Sequence, residues 1–207
     1  MKTSKNTICA LAGIALVAYA APSSAITIVN GSFEDISGMV DSGDYANGTP
    51  NGWTFTGLEV QILKSPPFAP TGVDGERYVE MSGGTDWGVL SQVVTGLTVG
   101  HDYELSFLWG NRQSAFNMTV EMGGQSFATS GTGVANMTAQ TLQFTAANTS
   151  ETLALEWLTP NGVSGALDAF ELIDLDAAQV EIPAPANLAI LGLGLAGLVA
   201  IRRKRIS

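Results

Sequence analysis

Three sets of residues in this chain have types and spacings that can do chemistry. The first sets aromatic rings beside polar groups. Asp86-Trp87 closes the Gly-rich stretch Gly83-Gly84-Thr85, and Trp109-Gly110-Asn111-Arg112 ends an alternating apolar run. A sugar shows C–H faces to a ring while carboxylates, amides and guanidinium take its hydroxyls. Asp86, Trp87, Trp109, Asn111 and Arg112 are therefore the candidate glycan-binding residues. The plainer alternative for any tryptophan is burial, and Trp53 and Trp157 are assigned to the core on that ground. The second set is carboxylate. Asp168 stands in phase with Phe170 and Leu172, which aims it toward the interior, where a carboxylate needs a partner. The third set is catalytic, and it is thin. His101 is the one histidine and Cys9 the one cysteine, and no Gly-x-Ser-x-Gly elbow or histidine cluster accompanies them. Paired carboxylates can run glycoside hydrolysis, but nineteen acidic residues make chance pairs common. The expectation is a domain that binds and does not catalyse.

The elements that must position these residues read as strands. Tyr103, Leu105, Phe107 and Trp109 alternate with polar neighbours, as do Met118, Val120 and Met122, then Leu142 and Phe144, then Leu153, Leu155 and Trp157. A period of two means half-buried antiparallel strands. Further strands are expected at 26–30, 53–56, 58–63, 77–81, 88–94 and 167–174, with turns at 41–52, 64–75, 82–86, 95–101 and 159–165. The loop Asp41-Ser42-Gly43-Asp44-Tyr45-Ala46-Asn47-Gly48 lacks the spacing of a calcium loop and reads as a solvated turn. About ten short strands predict an all-β, antiparallel β-sandwich of the jelly-roll kind over 26–178.

The order of local motifs supports this. Asn30-Gly31-Ser32-Phe33-Glu34 opens the domain, Gly52-Trp53 follows, then Asp74-Gly75-Glu76-Arg77-Tyr78-Val79-Glu80-Met81, Leu90-Ser91-Gln92 and Tyr103-Glu104-Leu105-Ser106-Phe107. Leu167-Asp168-Ala169-Phe170-Glu171-Leu172 closes it. This order resembles the galactose-binding-domain-like jelly rolls of carbohydrate-binding modules. That resemblance implies a structural calcium between the opening Glu34 and the closing Asp168, with loop carbonyls completing the ligand set. The alternative is that each carboxylate caps nearby backbone amides.

Charge separates the ends from the middle. The net charge is -10, and only Lys64, Arg77 and Arg112 are basic between the two ends. Such a surface has no basic face for phosphates, which excludes nucleic acid as a partner and suits neutral sugars or divalent cations. It also simply keeps an exported domain soluble. Residues 1–25 read as a signal peptide: Lys2 and Lys5, an apolar run from Ile8 to Ala21, and small residues up to a cleavage point for signal peptidase after Ala25. An uncleaved anchor helix is the alternative. Residues 179–207 hold Pro183-Ala184-Pro185, an apolar run from Leu188 to Ile201, and Arg202-Arg203-Lys204-Arg205. The run is short for a stable transmembrane helix, and the basic end stays cytoplasmic. This tail resembles the PEP-CTERM sorting signal recognised by exosortase. Ala184 stands where that family has Glu, which puts processing efficiency in question; a plain single-span anchor is the alternative. The resemblance implies export, transient or stable membrane attachment, and delivery to the cell surface or extracellular matrix. The expected function is a surface-sorted, non-enzymatic binder of extracellular polysaccharide. Its rivals are a matrix or biofilm protein acting by self-association and, further off, a glycoside hydrolase.

Overall fold

The computed structural model describes residues 26–57, 60–82, 87–112, 115–158 and 163–177. The expected signal peptide with Ala25, and the sorting tail with Pro183, Pro185, Arg202 and Arg203, lie outside them. The described chain forms twelve strands: β1 (Val40–Asp41), β2 (Tyr45–Asn47), β3 (Thr54–Thr56), β4 (Val60–Lys64), β5 (Arg77–Ser82), β6 (Trp87–Thr95), β7 (Asp102–Asn111), β8 (Phe116–Met122), β9 (Gln125–Gly131), β10 (Ala135–Thr145), β11 (Ser150–Leu158) and β12 (Val163–Asp174). They build a seven-stranded sheet in the order β1-β2-β4-β5-β12-β7-β10 and a five-stranded sheet in the order β3-β6-β11-β8-β9. Every pairing is antiparallel. The expected all-β antiparallel sandwich is what forms.

Alternation explains the packing. On β7, Tyr103, Leu105 and Phe107 face the space between the sheets, where they meet Met118, Val120 and Met122 of β8 and Leu153, Leu155 and Trp157 of β11. An aromatic cluster fills the middle. Phe107 stacks on Phe170 with centroids 5.3 Å apart, and Phe33 meets Trp53 at 5.3 Å. Trp157 is fully buried, and its indole N–H donates to the Gly165 carbonyl at 2.9 Å. Burying such rings supplies most of the drive for the two sheets to close.

A second, smaller apolar cluster lies apart from this core. Ile62 and Val79 belong to the inter-sheet core, and their strand neighbours Leu63 and Tyr78 join Ala166, Tyr45, Phe68, Val73 and Met137 in the second cluster. Adjacent strand residues point to opposite faces, so this cluster covers the outer face of the seven-stranded sheet. The connection between β4 and β5 forms its roof. That segment returns on itself through Ser65 N–H to the Glu76 carbonyl at 2.9 Å, and reaches β10 through Met137 N–H to the Thr71 carbonyl at 3.0 Å.

Two expectations are corrected, and one strand falls outside the pattern legible in the sequence. Residues 26–30 are not a strand: the Gln92 side chain takes Val29 N–H at 2.7 Å and Val29 C=O at 2.9 Å, replacing the backbone neighbour a strand requires. The expected turn at 41–52 contains the β1–β2 hairpin, which attaches to β4. β9 went unread because it is an edge strand whose only large apolar residue is Phe127.

Candidate functional site

The end of β7 presents a sequence-predicted group in a different arrangement. Trp109 and Asn111 leave the strand on the face opposite Gly110 and Arg112. Trp109 is half-buried, packed against Phe116 and Phe127 with centroids 6.2 and 5.8 Å away. Asn111 is fully buried, and its amide donates to the Gly133 carbonyl. Of these candidates, Asn111 is buried and Trp109 half-buried, both on the face opposite Arg112.

Arg112 lies on the outer face. Its guanidinium makes a two-point contact with Glu80, Nε to Oε2 at 2.9 Å and Nη2 to Oε1 at 2.7 Å. Glu80 is fully buried and the Arg112 side chain is 19% exposed. β12 lies between their strands, with Glu80 beside Ala166 and Ala166 beside Gly110. Those two small residues let Arg112 reach across a whole strand. The Phe68 ring, on the β4–β5 connection, lies 5.5 Å from the guanidinium carbon. Tyr78 stands in the same cluster, and its hydroxyl donates to the Ala69 carbonyl at 2.5 Å. Burial pushes the Glu80 carboxyl upward, against the pull of Arg112, and pushes the Tyr78 hydroxyl far above its ordinary value. Glu80, Tyr78 and Phe68 were absent from the sequence-derived set. The signal that points to Glu80 is arithmetic: an inward Arg in so acidic a chain needs a buried carboxylate.

Trp87 opens β6, where it pairs with Leu158. β5 ends with Ser82 opposite Val163, and β7 ends with Asn111 opposite Gly165. The register therefore brings the start of β6 and the end of β7 to the same end of the sandwich. Asp86 lies outside the described residues.

The two expected calcium ligands converge on one segment. Glu34 Oε1 accepts the N–H groups of Glu76 and Arg77, both at 2.8 Å. Asp168 Oδ2 accepts Asp74 N–H at 2.7 Å, and Oδ1 accepts Ala169 N–H at 2.7 Å. Asp168 is fully buried, but not in phase with Phe170. The register shifts between Asp168 and Glu171, so Leu167 and Phe170 both reach the inter-sheet core while Asp168 lies under the 74–77 segment. Burial first, with Asp74 and Glu34 adding repulsion, pushes the Asp168 carboxyl up to about 8. Phe33, Gly75 and Ala169 hold left-handed backbone at φ 55, 74 and 55° around these carboxylates. Both carboxylates thus cap amides, and the buried charge still calls for a proton or a cation. Among the described residues no three His, Cys, Asp or Glu side chains gather as metal ligands. A calcium here would take Glu34, Asp168 and backbone carbonyls; that donor set suits a hard cation and would supply charge neutralisation, not reactivity.

His101 is tied to structure. Its Nδ1 lies 3.0 Å from Asp174 Oδ2, which also accepts the Tyr103 hydroxyl at 3.1 Å.

The chain is 30% identical over 198 residues to Halomucin of Haloquadratum walsbyi (strain DSM 16790 / HBSQ001), covering 87% of this chain and 2% of that protein. It thus spans a small fraction of the curated relative it matches. Among solved structures it is similar to TmCBM61 in complex with beta-1,4-galactotriose: TM-score 0.51, 19% identity, 73% of this chain and 99% of that one. A bacteriophage CBA120 tailspike protein 4 domain matches at TM-score 0.47 and 14% identity, over 72% of this chain and 21% of that one. The first likeness supports the jelly-roll architecture. Residues 24–164 match the HpiC1-like family, described as HpiC1 cyclase, and over that span, more than half its length, the chain belongs to the HpiC1-like family.

Proposed function

We propose that this protein is an exported, surface-sorted module that binds neutral polysaccharide in the cell envelope or extracellular matrix. The observation that supports it best is the Arg112–Glu80 pair fixed beside Phe68, at the sandwich end where β6 begins with Trp87. A rigid guanidinium next to a ring supplies the polar and apolar halves of sugar recognition with little ordering cost. TmCBM61, which shares the fold, is described in complex with beta-1,4-galactotriose, and that points to hexose polymers as the first ligands to try. A calcium held by Glu34 and Asp168 keeps the β4–β5 connection in place. Signal peptidase at Ala25 and an exosortase-type enzyme acting on the Pro183–Pro185 tail deliver the domain. Affinity electrophoresis in gels containing galactan or the host's own polysaccharide tests the binding. Retardation of the wild type, lost in Phe68→Ala and in Trp87→Ala, supports the reading. Retardation unchanged in both variants sinks it.

Family membership favours a second reading, ring closure of a small molecule, since the family is described by a cyclase. Its acid would be the buried Glu80, two residues along β5 from Tyr78. An isomeric product at unchanged mass, formed by wild type and not by Glu80→Gln, together with no glycan retardation, would favour it.

A further inference from the structure

β4 ends with Lys64, β5 begins with Arg77, and the two are cross-strand partners. Residues directly opposite on adjacent strands project from the same face with Cβ atoms about 5 Å apart, where like charges repel. Ile62 and Val79, two residues further into the same strands, belong to the inter-sheet core. Lys64 and Arg77 therefore lie on the core side at the rim of the seven-stranded sheet, on the face opposite Arg112. With Arg112 they are the basic residues between the two ends of a chain of net charge -10. No carboxylate among the described residues pairs with either: the ion pairs there are His101–Asp174 and Arg112–Glu80. Arg77 is 8% exposed, and its Nη1 is buried with no hydrogen-bond partner among the described residues. Glu34 turns its Oε1 to the backbone N–H groups of Glu76 and Arg77, not to the guanidinium. Asp44 and Glu76, whose carbonyls accept Lys64 N–H and Ser65 N–H at 2.9 Å, are exposed.

We infer that Lys64 and Arg77 form a site for a single oxyanion, the carboxylate of an acidic sugar or a sulfate group, held between the ammonium and the guanidinium. This does not rest on the polysaccharide reading, whose residues lie on the other face of the sheet. A guanidinium meets two oxygens of such a group as a fork, and an ammonium completes the contact as a point charge. The bound charge removes two costs at once: the cross-strand repulsion, and the buried donor without an acceptor. Lys64 is half-buried beside exposed residues, so the pair is reached from solvent. The backbone under it is fixed, because Phe68 N–H donates to the Lys64 carbonyl at 3.2 Å and Ser65 N–H to the Glu76 carbonyl. The overall field of an acidic chain repels anions, so an anion held here is held by this pair.

Isothermal titration calorimetry on the full chain in mild detergent and chelator, at fixed ionic strength, tests this with sodium sulfate, sodium trigalacturonate and neutral galactotriose as titrants. The wild type is expected to bind sulfate or trigalacturonate saturably, and which of the two binds tighter separates a sulfate group from a sugar carboxylate. Lys64→Met and Arg77→Lys are each expected to weaken that binding by ~tenfold or more. Near-UV circular dichroism checks that both variants fold, and the half-buried Lys64 position carries the test if Arg77→Lys does not. In chloride alone Lys64→Met is expected to melt above the wild type, because the like-charge contact is gone. No saturable binding of either anion, unchanged affinity in Lys64→Met, or galactotriose binding with the same sensitivity to Lys64→Met overturns the inference.

Discussion

Replacing Arg112 by Met is the sharpest perturbation of the outer-face cluster. It removes both contacts to a carboxylate that has no exposed surface, at 2.7 and 2.9 Å. Stranding one member of a buried pair costs about 3–5 kcal/mol, because the remaining charge keeps its desolvation penalty. In a domain of this size each kcal/mol moves the melting temperature by about 2–4 °C, so a drop of about 10 °C is expected. The double variant Glu80→Gln/Arg112→Met removes the stranded charge and is expected to recover most of that loss. The pH dependence supplies an independent check. Burial raises the folded Glu80 carboxyl above its ordinary value of 4.5, and Arg112 is what opposes the rise. Without Arg112 the folded state retains a proton that the unfolded chain releases. The Arg112→Met deficit therefore grows as pH climbs above about 4.5 and shrinks below it. Urea titrations of the four members of the cycle at acidic and neutral pH measure this. Additive losses, with no recovery in the double variant and no pH dependence in Arg112→Met, would refute the buried-pair argument.

Asp168 carries the same sign over a wider window. Its folded carboxyl sits at about 8 against 3.8 in the free residue, so stability in chelator is expected to fall as pH rises through that range. Added calcium should raise the melting temperature and flatten the slope in the wild type but not in Asp168→Asn; a chelator-insensitive melting curve would remove calcium from the account. Gln92→Leu deletes both contacts to Val29 and is expected to cost about 1–3 kcal/mol, with faster amide exchange at 26–30. Gly123→Ala meets the Phe144 ring with a left-handed backbone at φ 57° and is expected to cost about 2–4 kcal/mol in a urea titration.

Much of the fold was legible because strand alternation is local. The inward rows of β7, β8 and β11 could be read from single segments, and Trp53 and Trp157 are buried as expected. Alternation misled wherever a neighbour overrode it. At Asp168 a bulge breaks the phase with Phe170, and at Val29 a side chain 63 residues away stands in for a strand. Trp109 was legible as an aromatic at a strand end, but its packing against Phe116 and Phe127 depends on where β8 and β9 lie.

The sequence by itself determined the strand-rich class, the acidic charge, the inward rows and the segments that hold Trp87, Arg112, Glu34 and Asp168. Tertiary structure alone decided which of these meet. Glu80 and Arg112 are 32 residues apart, and they join because β12, from the far end of the chain, inserts between β5 and β7 and presents the small Ala166 between them. Strand order is set by the closing of the whole sandwich, whose energy comes from burying both faces at once. No local pattern records it.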